Sequence, residues 1–172
     1  MEDKKLPIPS TDYVYRQIPE SFIKFDNGKY IPKSSNFKPD PDGLSVNWSR
    51  MISLEDTYIL IGLSYRHKKE EYKDHRQFKV FKFNVGFLRS ISGIESVEHN
   101  PVINGNPAPV GKPNNYSHSL VMYQDDELIR KTLSTHIRDN QEDTYCLFEA
   151  NSLNERLEEL RQRLNDTPYH RA

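Results

Sequence analysis

A single cysteine, Cys146, is present in the 172 residues, so no intrachain disulfide can form and a disulfide-framed secreted domain is excluded. Excess charge of either sign is also lacking. Lys and Arg number 24 against 25 Asp and Glu, which removes a general electrostatic case for nucleic acid or an anionic membrane and leaves only a local patch to supply one. Long apolar runs are missing too. The longest, around Tyr58 to Leu63, falls far short of the ~20 residues that span a bilayer, and the charged start Met1-Glu2-Asp3-Lys4-Lys5 leads into no apolar leader segment. These absences predict a cytoplasmic protein in a reducing compartment, without membrane association. Nor is there a phosphate-binding loop, an internal repeat, or a His/Cys set at the close spacing of a structural zinc site, so no cofactor and no metal is expected.

What is present is aromatic. Hydrophobic content is only 35% and charged content 28%, toward the polar side for a globular chain, but ten Tyr and eight Phe supply apolar area for a core. The length suits one domain. It is expected to comprise a flexible charged arm over 1–11, interrupted by Pro7 and Pro9, a folded domain over 12–150, and a C-terminal amphipathic helix and tail over 151–172.

Period-two alternation and β-branched or aromatic runs predict strands near 13–16, 44–48, 78–83, 94–98, 118–123 and 145–148. Leu44, Val46 and Trp48 fall on one face of their strand, Ser45 and Asn47 on the other. Asp26-Asn27-Gly28, between Phe22-Ile23-Phe25 and Tyr30-Ile31, is a hairpin turn signal, because Asn and Gly tolerate positive φ. Helices are predicted near 54–60, behind the cap Ser53 and before Gly62 as a C-cap, near 126–138, and near 152–164. Phe87, Leu88 and Ile91 tilt the segment 85–91 toward helix. The fold class is therefore α+β: a single domain with a mostly antiparallel sheet and three short helices. From Asn100 to Asn115, four prolines and two glycines predict a long loop, and loops of that length are often functional.

Three groups of residues are candidates for a site. Arg16, Ser34, Ser35, Asn36 and His118 are the first: an arginine with hydroxyls can hold a phosphate or carboxylate through charge-assisted hydrogen bonds, and His118 leaves a Pro/Gly-rich loop where side chains are often presented. Against this, paired serines usually cap turns and an arginine at a strand end usually pairs with a surface acid. The second group is the basic stretch Arg66, Lys68, Lys69, Lys73 and Arg76, with Tyr65, Tyr72, Phe78 and Phe81 interleaved as stacking surfaces for bases, although Glu70, Glu71 and Asp74 interrupt it. Third, Leu153, Leu157, Leu160 and Leu164 recur at the 4, 3, 4 spacing of a helix seam behind the capping box Ser152 to Glu155. A seam of two heptads needs a partner surface, in its own domain or on another chain. Cys146 sits in an apolar run and reads as inert core.

The Arg16 and Ser34-Ser35 pair resembles the arginine and serine elements of one class of ADP-ribosyltransferases, which implies a small enzyme. No Glu-x-Glu follows to provide the catalytic glutamate of that class. Arg16-x-x-Pro19, Ser34-Ser35-x-Phe37 and Leu44-Ser45-Val46, with His118 downstream, resemble a family of short uncharacterised bacterial proteins to which no activity is attached. The leading expectation is a non-catalytic adaptor subunit that joins another protein chain through the C-terminal helix or the Pro-rich loops. A ligand-binding protein or small enzyme built on the Arg/Ser/His cluster is the alternative, and a nucleic-acid accessory protein a second one.

Overall fold

The computed structural model describes residues 5–66, 69, 71–147 and 154–166. Its centre is a seven-stranded antiparallel sheet. The strands are β1 (Leu6–Pro7), β2 (Tyr13–Pro19), β5 (Leu44–Trp48), β8 (Phe78–Asn84), β9 (Ser96–His99), β10 (His118–Met122) and β11 (Tyr145–Cys146), in the order β1-β9-β10-β5-β2-β8-β11. β2 and β8 form the longest ladder, seven pairs from Tyr13↔Asn84 to Pro19↔Phe78. Two hairpins stand outside the sheet. β3 (Ile23–Asp26) and β4 (Lys29–Pro32) turn through Asn27 at φ 49° and Gly28 at φ 75°, the left-handed geometry that the Asn-Gly pair supplies. β6 (Tyr65–Arg66) and β7 (Glu71–Tyr72) make the second.

Both faces of the sheet are covered, because the strands carry apolar residues on both sides. One face takes α2 (Val85–Ser90) and α3 (Glu127–Asp139), whose Ile129, Leu133 and Ile137 meet Val14, Val46, Phe81 and Phe83. Burying those aliphatic side chains contributes about 1.5–3 kcal/mol each. The opposite face takes α1 (Leu54–Leu60) and α5 (Asn154–Asp166): Ile59, Leu60 and Leu160 close over Val80 and Cys146. A short α4 (Gln141–Thr144) leads from α3 into β11.

The expected elements recur with shifted ends, and two of them differ in an informative way. Residues 6–7 of the expected arm pair with β9 and drive Ile8 into the core at 0% exposure, so burial of one isoleucine pins a segment that its charge and prolines describe as loose. Ser53 caps α1 as expected, its hydroxyl accepting from the Asp56 amide at 3.0 Å. Gly62, however, lies in a 3-10 turn over Ile61–Leu63, and a Cβ there would lie 3.0 Å from Leu157 Cδ2. It is a close-approach glycine, whose bare Cα lets Leu157 of α5 come in without displacement. The capping box at Ser152 lies outside the described residues.

Candidate functional site

The sheet divides the first predicted cluster in two. Arg16 shares a face with Phe81, its partner across the β2–β8 ladder, and so points toward the 3-10 turn Ser34–Phe37. Between β2 and β5 only Val14↔Trp48 and Tyr15↔Asn47 pair. Beyond them, the Arg16 guanidinium takes up the carbonyls left free. It donates to Ser45 O at 2.6 Å and to Asn36 O from Nε at 3.2 Å and from Nη2 at 2.6 Å. Burial lowers its pKa to about 10, with Tyr123 and Asp40 opposing, and it stays charged at neutral pH. Asn36 is similarly engaged, its side-chain amide donating to Phe22 O and Lys33 O. Ser34 is half-buried and Ser35 exposed on the same turn. Arg16 thus bolts the turn to the sheet, and Asn36 ties it to Phe22 and Lys33.

His118 is on the other face. It pairs with Asn47, and by alternation Ser45, Asn47, His118 and Leu120 share that side. Its Nδ1 lies 2.6 Å from Asn100 O and its Nε2 3.3 Å from Ser45 Oγ. A carbonyl only accepts, so Nδ1 carries the proton and Nε2 is left to accept from the Ser45 hydroxyl. Burial pushes the His118 pKa below the usual histidine value, as does nearby His99, against the Asn100 hydrogen bond, so the ring is neutral at pH 7. Next to it, Asn47 Oδ1 accepts from Asn115 Nδ2 at 2.8 Å and from Ser117 Oγ at 3.1 Å. Ser45, His118, Asn47, Asn115 and Ser117 thus make a polar strip across β5, β10 and the loop that precedes β10. Ser45 alone among them is exposed.

That loop is the long Pro/Gly segment, and it is built rather than slack. Its ends meet in a two-way bridge between Val102 and Asn115. Asn114, 1% exposed, uses its whole amide: Oδ1 accepts from the amides of Asn104 at 2.7 Å and Gly105 at 3.3 Å, while Nδ2 donates to Gly105 O at 2.7 Å and Leu164 O at 3.1 Å. Asn104 Nδ2 reaches Pro113 O, and Gly111 O accepts from the Tyr65 amide. Gly111, at φ +77°, could carry no side chain, because a Cβ would fall 2.3 Å from that of Tyr65. An apolar cavity of about 260 Å³ opens between this loop, Leu63, Tyr72 and the end of α5, with Arg161 on its wall. Val110 on the loop is 81% exposed, more than any other large apolar side chain among the described residues.

The basic stretch is laid out differently from a stacking groove. Phe78 and Phe81 are buried, leaving Tyr72, edge-on to Tyr65 at 5.3 Å, as the exposed ring. Arg76 is held by Asp74 through its Nε and Nη2, and Lys69 is exposed. The Lys73 amide donates to Ser64 O. Arg66 lies in β6, and Lys68 falls outside the described residues. The leucine seam faces its own chain: Leu160 is 2% exposed, Leu157 and Leu164 pack beside it, and Arg163 pairs with buried Asp56 at 2.7 Å while Arg156 pairs with Glu55. Leu153 falls outside the described residues. Cys146 is buried, and burial raises its thiol pKa to about 11, which makes it a poor nucleophile.

Among the described residues no group of three or more His, Cys, Asp or Glu could hold a metal ion, and no helix is long and apolar enough to cross a membrane. Sequence reasoning placed Ser45 and Asn47 on one strand face but could not see that His118 joins them, because the β5–β10 register is a property of the fold. Asn114 carried one signal, an amide side chain beside a proline inside a long loop, where such groups stand in for missing backbone partners. No family model, curated protein or solved structure matches this chain.

Proposed function

We propose that this protein is an interaction subunit of a larger assembly, whose recognition element is the loop from Asn100 to Ser117. The partner is a protein that presents an apolar side chain with an acidic group beside it. The observation that carries this reading is the Asn114 clamp: a buried amide with four hydrogen bonds holds a loop whose apolar tip, Val110, is left in water. A loop already ordered before binding loses less conformational entropy on association. The cavity beside Val110, about 260 Å³ and walled by Leu63, Pro107, Pro109 and Leu164, is of a size to take one large side chain. Charge supports the second half of the motif. Among the described residues Arg161, on the cavity wall, is paired with Glu158 alone, in an exposed i,i+3 contact at 3.3 Å of small worth that an incoming carboxylate can replace, and Lys112 is exposed close by.

The test is affinity purification of the intact chain at native expression, compared with Val110→Glu and Arg161→Glu. One protein captured by the wild type and lost from both variants, at unchanged Tm, is the expected result. Equal recovery by all three, or recovery of the chain alone, would refute it.

A further inference from the structure

We infer that Ser45 is an activated nucleophile, with His118 as its general base, and that it takes an acyl group from an activated carboxylic ester. The reading stands on the polar strip of the sheet and does not depend on the loop's partner. Three conditions of a nucleophile and base meet there. The first is reach. His118 Nε2 lies 3.3 Å from Ser45 Oγ, within the looser range that such pairs show before substrate binds. Orientation is the second: the 2.6 Å hydrogen bond from Nδ1 to Asn100 O fixes the tautomer that leaves Nε2 free to take a proton, the role that a third group plays wherever a serine and histidine work together. The third is protonation state. Burial holds the ring below the usual histidine pKa and therefore basic at neutral pH.

Access completes the case. Ser45 is exposed, while His118 is half-buried beneath the start of the loop, so an ester can approach the hydroxyl from solvent while the base is shielded. The Ser45 backbone is fixed from behind by the Arg16 guanidinium on its carbonyl and by the β10 ladder on its other side. Asn47, two residues along on the same face, has its Oδ1 held by Asn115 and Ser117, which orients its amide group beside the serine. In the reaction, Ser45 Oγ forms a bond to the ester carbonyl carbon as its proton passes to His118 Nε2. The bond from that carbon to the leaving oxygen breaks, and the proton leaves with the alcohol. Water, deprotonated by the same nitrogen, then releases the acid and restores the hydroxyl.

The probe is p-nitrophenyl acetate with the intact chain. Expected are release of p-nitrophenolate, one acetyl adduct mapped by peptide mass spectrometry to Ser45, and a rate that rises with pH through a single titration below the ordinary histidine value. Ser45→Ala removes the adduct, and His118→Gln slows acylation by about 100-fold or more, the usual contribution of a general base. Ser35→Ala, an exposed serine on the other face, leaves the rate unchanged. If His118→Gln loses its fold, the pH profile of the wild type and the Ser45→Ala result decide alone. An adduct found only on lysines or the N-terminus, or a rate undiminished in Ser45→Ala, would overturn the assignment.

Discussion

Replacing Arg16 by Met separates a structural bolt from a ligand hook. Methionine keeps most of the stem and removes the guanidinium, leaving Asn36 O and Ser45 O without their charged donor. Hydrogen bonds to a charged group contribute roughly 1.5–3 kcal/mol each, and water can reach the Ser45 side more readily than the Asn36 side, so the loss is about 3 kcal/mol. With a urea m-value of roughly 2 kcal/mol/M for a domain of this size, the midpoint of unfolding falls by about 1.5 M. Equilibrium unfolding followed by Trp48 fluorescence reads it directly, since Trp48 lies on β5, the strand that Arg16 secures. Arg16→Lys, which can satisfy one carbonyl at a time, falls between the two. A midpoint lowered by less than about 0.3 M would mean that solvent replaces the guanidinium without cost and that the reasoning is wrong.

Asn114→Ala removes four hydrogen bonds from the long loop and leaves the amides of Asn104 and Gly105 without their acceptor, at about 2–3 kcal/mol locally. Hydrogen exchange over residues 100–116 should accelerate while the β2–β8 ladder keeps its protection, and uniform protection in the loop would count against the clamp. On α3, Leu133→Ala, at a fully buried site, should cost about 2–5 kcal/mol, and Leu128→Ala, 72% exposed, within about 0.5 kcal/mol of nothing. Similar thermal shifts for the two would contradict the assigned face. Burial depresses His75, His118 and His136 below the ordinary value of 6.5. The unfolded chain therefore binds more protons, so their contribution is complete above pH 6.5 and is lost as pH falls through the folded-state values. Asp12 is also depressed, since hydrogen bonds from Trp48 and Arg50 outweigh the opposing effect of burial, but it acts only below pH 3.8. A urea midpoint no lower at pH 5.5 than at 7.5 would refute the histidine assignment.

Local chemistry made most of the elements legible. The Ser53 cap, the Asn27-Gly28 turn and the Leu44-Val46-Trp48 alternation each depend on neighbours a few residues away, and all are found in the fold. Long-range register was not legible. Arg16 and His118 belong to one short list of polar residues in the sequence, and only the strand order reveals that they point away from each other through the sheet. The same register brings His118 to Ser45, 73 positions distant, a pairing that no spacing rule contains. The leucine seam shows the limit from the other side. Its periodicity specifies an apolar stripe but is silent on the covering surface, which here is α1, admitted by the bare Cα of Gly62.

The outermost strands, β1 and β11, are two residues long, and β1 contains Pro7 with Pro9 just beyond. Such brief margins offer an arriving extended segment hardly any run of amides to zip onto. Stacking of copies edge to edge into fibrils is thereby discouraged.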